Sequence, residues 1–136
     1  MAAAIADTVQ VSTDAWLPGF DGTYFYTKLW SCSEPKAVVI FVHGFADHIS
    51  RYEGIHDQWA KRGVTVFAYD RRGFGRTALD SERKSADSSY GKTNHNLDIA
   101  DLDWWVDYVV TQYPTLPRFV MGYSSVRFTN TPLVIA

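Results

Sequence analysis

The stretch Ala37-Val38-Val39-Ile40-Phe41-Val42 is apolar at every position and shows no alternation, a pattern that suits a strand covered on both faces. Val64 to Tyr69 repeats it. Between the two, Tyr52, Ile55 and Trp59 recur at spacings of three and four among polar residues, and Gly63 offers a stop, so Arg51 to Arg62 reads as an amphipathic helix. Strand, helix and strand in this order make a βαβ unit, which is almost always right-handed. The fold class that follows is α/β, with a parallel central sheet and flanking helices.

The pattern on either side extends this unit. Upstream, Ala15-Trp16-Leu17 and Tyr24 to Trp30 flank Asp21-Gly22, a pair that readily adopts the positive φ angles of a tight turn, which predicts an antiparallel hairpin leading into the sheet. Downstream, Thr77 to Thr93 turns polar without periodicity and predicts an exposed loop. A helix resumes near Asn96, with Ile99, Leu102, Val106, Val109 and Tyr113 on one face and Asp98, Asp101 and Asp103 near its positive end; Pro114 stops it. Trp104 and Trp105 are adjacent and point to different sides of that helix, so at least one packs on the sheet. Arg118-Phe119-Val120-Met121 then reads as a third buried strand running directly into Gly122-Tyr123-Ser124. Ser125 to Ala136 has no helical periodicity and carries Pro132.

Composition narrows the function classes. A chain of 136 residues with 46% apolar positions has enough to build one domain with a core, although α/β domains often run to roughly 200–250 residues. A net charge of -2 gives no reason to expect nucleic acid or an anionic membrane as partner. Cys32 is the single cysteine, which rules out an internal disulfide and paired-cysteine metal motifs and makes a cytoplasmic location the default. Met1 to Asp7 lacks a basic region and a signal-length apolar core, and no stretch reaches the roughly 18 apolar residues of a membrane span. His48 and His56 stand eight residues apart and His95 lies in the polar region, so no three-ligand metal set is visible and no metal or cofactor is expected. Gly73-Phe74-Gly75 follows the second parallel strand and has Ala78 where a dinucleotide fingerprint needs its third glycine, which argues against a Rossmann module. Arg71 and Arg72 read as ion-pair partners of nearby acids or as loop anchors.

Three motifs in order carry the chemistry. His43-Gly44-Phe45-Ala46-Asp47-His48-Ile49-Ser50-Arg51-Tyr52 follows the first central strand. Asp70-Arg71-Arg72-Gly73-Phe74-Gly75-Arg76-Thr77 follows the second, and Leu116 to Ser124 runs through the third into a Gly-x-Ser turn. In this they resemble the α/β-hydrolases of the monoglyceride lipase and serine aminopeptidase S33 type, over Trp16 to Ser124. The resemblance implies that Ser124 is the nucleophile, that the backbone N–H groups of Phe45 and Ser125 form the oxyanion hole, and that His43, Gly44 and Gly122 support the two turns. It implies hydrolysis of a small carboxylic ester such as a monoacylglycerol, with a peptide bond as the alternative.

Two departures bear on activity. Val126 stands where the family's Gly-x-Ser-x-Gly elbow ends in glycine, and Ser125 to Ala136 contains neither the acid nor the histidine that the family order places after the serine. Loss of triad members typically costs about 10⁴–10⁶ in turnover, so negligible activity is expected of this chain. The family pattern breaks off after Ser125, as in a truncated or mis-spliced product. The expected division is a flexible tail over 1–13, an incomplete hydrolase domain over 14–125 and an unpatterned tail over 126–136. In the family's sheet order the strand ending at Ser124 is followed by a neighbour absent here, which predicts an open edge at Phe119 to Met121 and self-association, and leaves a non-catalytic interaction module as the competing reading.

Overall fold

The computed structural model describes residues 10–123. Its elements run β1 (Gln10–Pro18), β2 (Tyr24–Cys32), β3 (Ala37–Val42), a 3₁₀ turn (Ile49–Tyr52), α1 (Glu53–Lys61), β4 (Val64–Tyr69), α2 (Gly75–Leu79), α3 (His95–Gln112) and β5 (Arg118–Gly122). The five strands form one sheet in the order β1-β2-β4-β3-β5. β1, β2 and β4 pair antiparallel in succession, whereas β3 lies parallel to both β4 and β5. This is the expected α/β arrangement of a hairpin leading into a parallel sheet.

The apolar runs at β3 and β4 are continuous because helices cover both faces of the sheet. On one face Val38, Ile40, Val42, Phe67, Tyr69 and Val120 pack with Leu102, Trp105 and Val109 of α3. On the other, Phe41, Val66 and Ala68 pack with Ile49 and Ala60 from the 3₁₀ turn and α1. Trp105 is buried at the centre of the first cluster, and Trp104 on the other side of the helix is exposed and donates its indole N–H to the Pro18 carbonyl at 3.2 Å. Val106 and Tyr113, expected on the buried face of α3, are only partly buried against this cluster.

Four local expectations change. β1 reaches back to Gln10, so residues 10–13, read from the sequence as tail, pair with residues 29–32 of β2. The hairpin connection is not a two-residue turn but residues 19–23: Gly19 N–H donates to the Thr23 carbonyl at 2.8 Å, and Gly22 alone takes a positive φ, +82°. The expected helix from Arg51 begins instead as the 3₁₀ turn and becomes α-helical at Glu53. The polar stretch from Thr77 does not start as an exposed loop, because α2 runs through it to Leu79 and Thr77 is fully buried, accepting the Tyr26 N–H at 3.1 Å and donating to the Asp70 carbonyl at 2.8 Å.

β5 bonds to β3 on one side, and no strand among the described residues pairs its other side. Beside it, on the α1 face, an apolar cleft of about 410 Å³ is lined by Val39, Trp59, Val64, Phe119 and Met121, with Arg62 at its margin. Among the described residues no helix is long and apolar enough to cross a membrane.

Candidate active site

The site begins at the C-terminal ends of β3 and β5, the end of a parallel sheet at which ligands bind. Val42 is the register partner of Gly122, and the Tyr123 N–H donates to the Val42 carbonyl at 3.2 Å. The two segments leaving these strands therefore start side by side. Ser124 and Ser125, the nucleophile and one oxyanion donor by resemblance, lie outside the described residues; Gly122 closes β5.

The segment leaving β3 is held by side chains from distant parts of the chain. His43 is fully buried, and its Nε2 accepts the backbone N–H of Arg71 at 2.8 Å. That bond puts the ring proton on Nδ1, which donates to the Gly44 carbonyl at 2.7 Å. Burial pushes the imidazole pKa down to about 4, against the pull of the Gly44 carbonyl. His43 is thus a neutral brace between the turn after β3 and the turn after β4. With both nitrogens engaged, it is not free to take a proton from a hydroxyl.

Phe45 projects from this brace, 72% exposed, its ring edge-on to the buried Phe74 at 5.3 Å. Ala46 follows with φ +55°, the left-handed region that costs a residue with a Cβ about 1–2 kcal/mol. The next residue offsets that cost. The buried Asp47 accepts the His48 N–H at 2.8 Å, Nη1 of Arg51 at 3.0 Å and the hydroxyl of Tyr52. Burial pulls the Asp47 carboxyl up, but the bonds from Tyr52, His48 and Arg51 outweigh it and hold the pKa below the usual carboxylate range. The sequence reading missed this residue, although its spacing of four from Arg51 was a visible signal.

Asp70 fixes the far end of the same segment. Its carboxylate accepts the Ile49 N–H and the Arg76 N–H, each at 2.8 Å, and burial raises its pKa. The glycine at 75 is required by this arrangement. Gly75 has φ +53°, and a Cβ there would come within 2.4 Å of the Asp70 carboxyl.

The arginines behave as the sequence suggested. Arg71 pairs with Asp98 at 3.1 Å and also donates to the His43 carbonyl at 3.3 Å. Arg72 meets the buried Asp101 through two nitrogens, at 2.9 and 2.8 Å, and bonds Asp21 at 3.0 Å, tying the hairpin to α3. The remaining histidines sit apart. His48 is half-buried beside Ser50 and Asp70, and His95 is exposed at the start of α3. His56 is buried in a cage of Trp30, Phe41 and Tyr52 with Nδ1 unpartnered, and burial lowers its pKa to about 4. Among the described residues no three His, Cys, Asp or Glu side chains converge as a metal site.

Known proteins share the family pattern and the fold. Residues 33–125 match the model of the serine aminopeptidase S33 family. The chain is 30% identical over 120 residues to a monoacylglycerol lipase of Mycolicibacterium smegmatis, covering 85% of this chain and 34% of the relative. It is 30% identical over 105 residues to the Homo sapiens monoglyceride lipase, covering 76% and 32%. Among solved structures, a carboxyl esterase from Bacillus coagulans superposes with a TM-score of 0.68 at 26% identity, covering 85% of this chain and 37% of that one. A monoglyceride lipase from Saccharomyces cerevisiae gives 0.67 at 23% identity, over 90% and 38%, and so speaks for the fold alone. The chain spans about a third of the length of the curated relatives it matches.

Proposed function

The chain belongs to the serine aminopeptidase S33 family of α/β-hydrolases, and from that premise we propose that it carries the nucleophile side of a carboxylic-ester hydrolase site, with a monoacylglycerol-type ester as the substrate class. Ser124 is the proposed nucleophile, and the backbone N–H groups of Phe45 and Ser125 are the proposed oxyanion donors. The observation that carries the reading is the register of β3 against β5, because Val42 opposite Gly122 makes the Phe45 turn and the residue before Ser124 neighbours at one end of the sheet. The relatives named as monoacylglycerol and monoglyceride lipases support the substrate class.

In this reaction the Ser124 hydroxyl oxygen attacks the ester carbonyl carbon, its proton passes to a base, and the carbonyl oxygen gathers charge against the two N–H groups. One such donor is worth about 10²–10³ in rate. The acid and histidine of the family order are not among residues 125–136, which contain no Asp, Glu or His. His43 has both nitrogens engaged, His56 is enclosed by aromatic rings, and His48, half-buried beside Ser50 and Asp70, is the histidine from which a recruited base would have to come. These 136 residues by themselves are therefore expected to turn over esters about 10⁴–10⁶ more slowly than a complete triad. Association between copies along the edge of β5 that no described strand covers belongs to the same proposal.

Fluorophosphonate labelling tests it in two arms. The chain is expected to label no more than its Ser124→Ala variant, and robust labelling confined to Ser124 would overturn the inactivity. A chimera joining residues 1–125 to the part of the human monoglyceride lipase that follows its own nucleophile elbow is expected to label at Ser124. A folded chimera that stays unlabelled would overturn the site itself.

A further inference from the structure

Tyr52 closes the 3₁₀ turn, half-buried, and its two ends do different things. The hydroxyl donates to Oδ2 of Asp47, the residue next to the left-handed Ala46 and two beyond Phe45. The ring lies against Phe41 of β3 at 4.6 Å, stacks on His56 of α1 at 6.0 Å, and meets the ring of Tyr123 edge-on at 6.0 Å. One side chain therefore touches both halves of the proposed site: through Asp47 the turn that carries the Phe45 N–H, and through Tyr123 the residue that precedes Ser124.

The other braces act on one side only. His43 and Asp70 tie the segment after β3 to the turn after β4 through the N–H groups of Arg71, Ile49 and Arg76. A positive φ at a residue with a Cβ persists only where its surroundings over-determine it. Of the three donors on Asp47, Arg51 belongs to a largely exposed side chain and the His48 N–H is on the same short segment, so the Tyr52 hydroxyl is the donor anchored in the core.

We infer that Tyr52 is a positioning residue of the proposed ester site: its hydroxyl on Asp47 and its ring on Tyr123 hold the Phe45 turn in register with the end of β5. The inference rests on the hydrolase reading for its purpose, and its geometry is tested without turnover.

The experiment is amide hydrogen exchange read by mass spectrometry on the full 136-residue chain at low micromolar concentration. Tyr52→Phe keeps the ring and removes the hydroxyl, so within 44–48 the His48 amide, which donates to Asp47, is expected to exchange about tenfold faster, while β3 and β4 keep their protection. Tyr52→Leu removes the ring as well and is expected to speed exchange at 119–123 too. Unchanged exchange over 44–48 in Tyr52→Phe would overturn the inference. So would uniform acceleration through β3 and β4, which is what a merely structural tyrosine would give. Should Tyr52→Leu not fold, the Tyr52→Phe result decides alone. Labelling of the chimera reports separately on the hydrolase reading, so an unlabelled chimera with the expected exchange pattern would sink that reading and leave the positioning of the Phe45 turn standing.

Discussion

Val42 and Gly122 face each other at the last ladder position of two parallel strands, and the Val42 carbonyl accepts the N–H of Tyr123 at 3.2 Å. Two turns separated by almost eighty residues of chain are thereby set side by side, one presenting Phe45 and the other leading to Ser124. The helices serve this juxtaposition by burying both faces of β3.

Acid should weaken the fold through its buried histidines. His43 and His56 have folded-state pKa values depressed to about 4 from an ordinary 6.5. The unfolded chain then binds more protons below pH 6.5, so the stability these groups contribute is present above that pH and is lost as pH falls towards 4. The upper bound is about 3 kcal/mol for each. Urea midpoints measured from pH 7 to 4.5 are expected to fall, and a smaller slope is expected in His56→Phe. The buried carboxyls of Asp70 and Asp101, whose pKa values burial raises, act in the opposite sense, so the comparison decides: the same slope in His56→Phe as in the unaltered chain would contradict the depressed His56 value.

Two glycines with positive φ should respond differently to alanine. At Gly22 an added Cβ meets open space, so only the backbone penalty of about 1 kcal/mol is expected. At Gly75 the Cβ collides with the Asp70 carboxyl, and the bonds to Ile49 and Arg76 must yield, so a loss of about 2–4 kcal/mol is expected. Denaturant unfolding of Gly22→Ala and Gly75→Ala checks the order; equal losses would refute the close approach.

The Arg72–Asp101 pair is nearly buried, which sets the cost of breaking it. Asp101→Ala leaves a guanidinium without its buried partner and is expected to cost about 3–5 kcal/mol, whereas Arg72→Leu with Asp101→Leu should recover much of it. A double-mutant cycle with no coupling would mean the pair is not formed in solution.

Self-association should follow the edge of β5 that no described strand covers. Sedimentation of the chain is expected to show concentration-dependent growth in mass, reduced by Met121→Lys, which places a charge in the apolar cleft beside the edge. A monodisperse monomer with one cooperative thermal transition would remove association from the proposal.

Local pattern by itself determined a good part of this protein. The apolar runs at Ala37–Val42 and Val64–Tyr69 coincide with β3 and β4, because a strand buried on both faces needs an unbroken apolar sequence and nothing outside the run alters that need. The order of three motifs carried the family, and the pairing of Arg71 and Arg72 with nearby acids was legible from charge. What only the tertiary structure decided depends on partners distant in sequence. Thr77 became buried inside a polar stretch because Tyr26 and Asp70 supply its hydrogen bonds, and His43 became a neutral brace because Arg71, 28 residues on, donates to it. Trp105 rather than Val106 sits at the centre of the α3 contact, since Phe25, Phe67 and Tyr69 surround its ring. Periodicity records which side of an element faces inward, but the groups that meet there are brought together only by the pairing of β3 with β4 and β5.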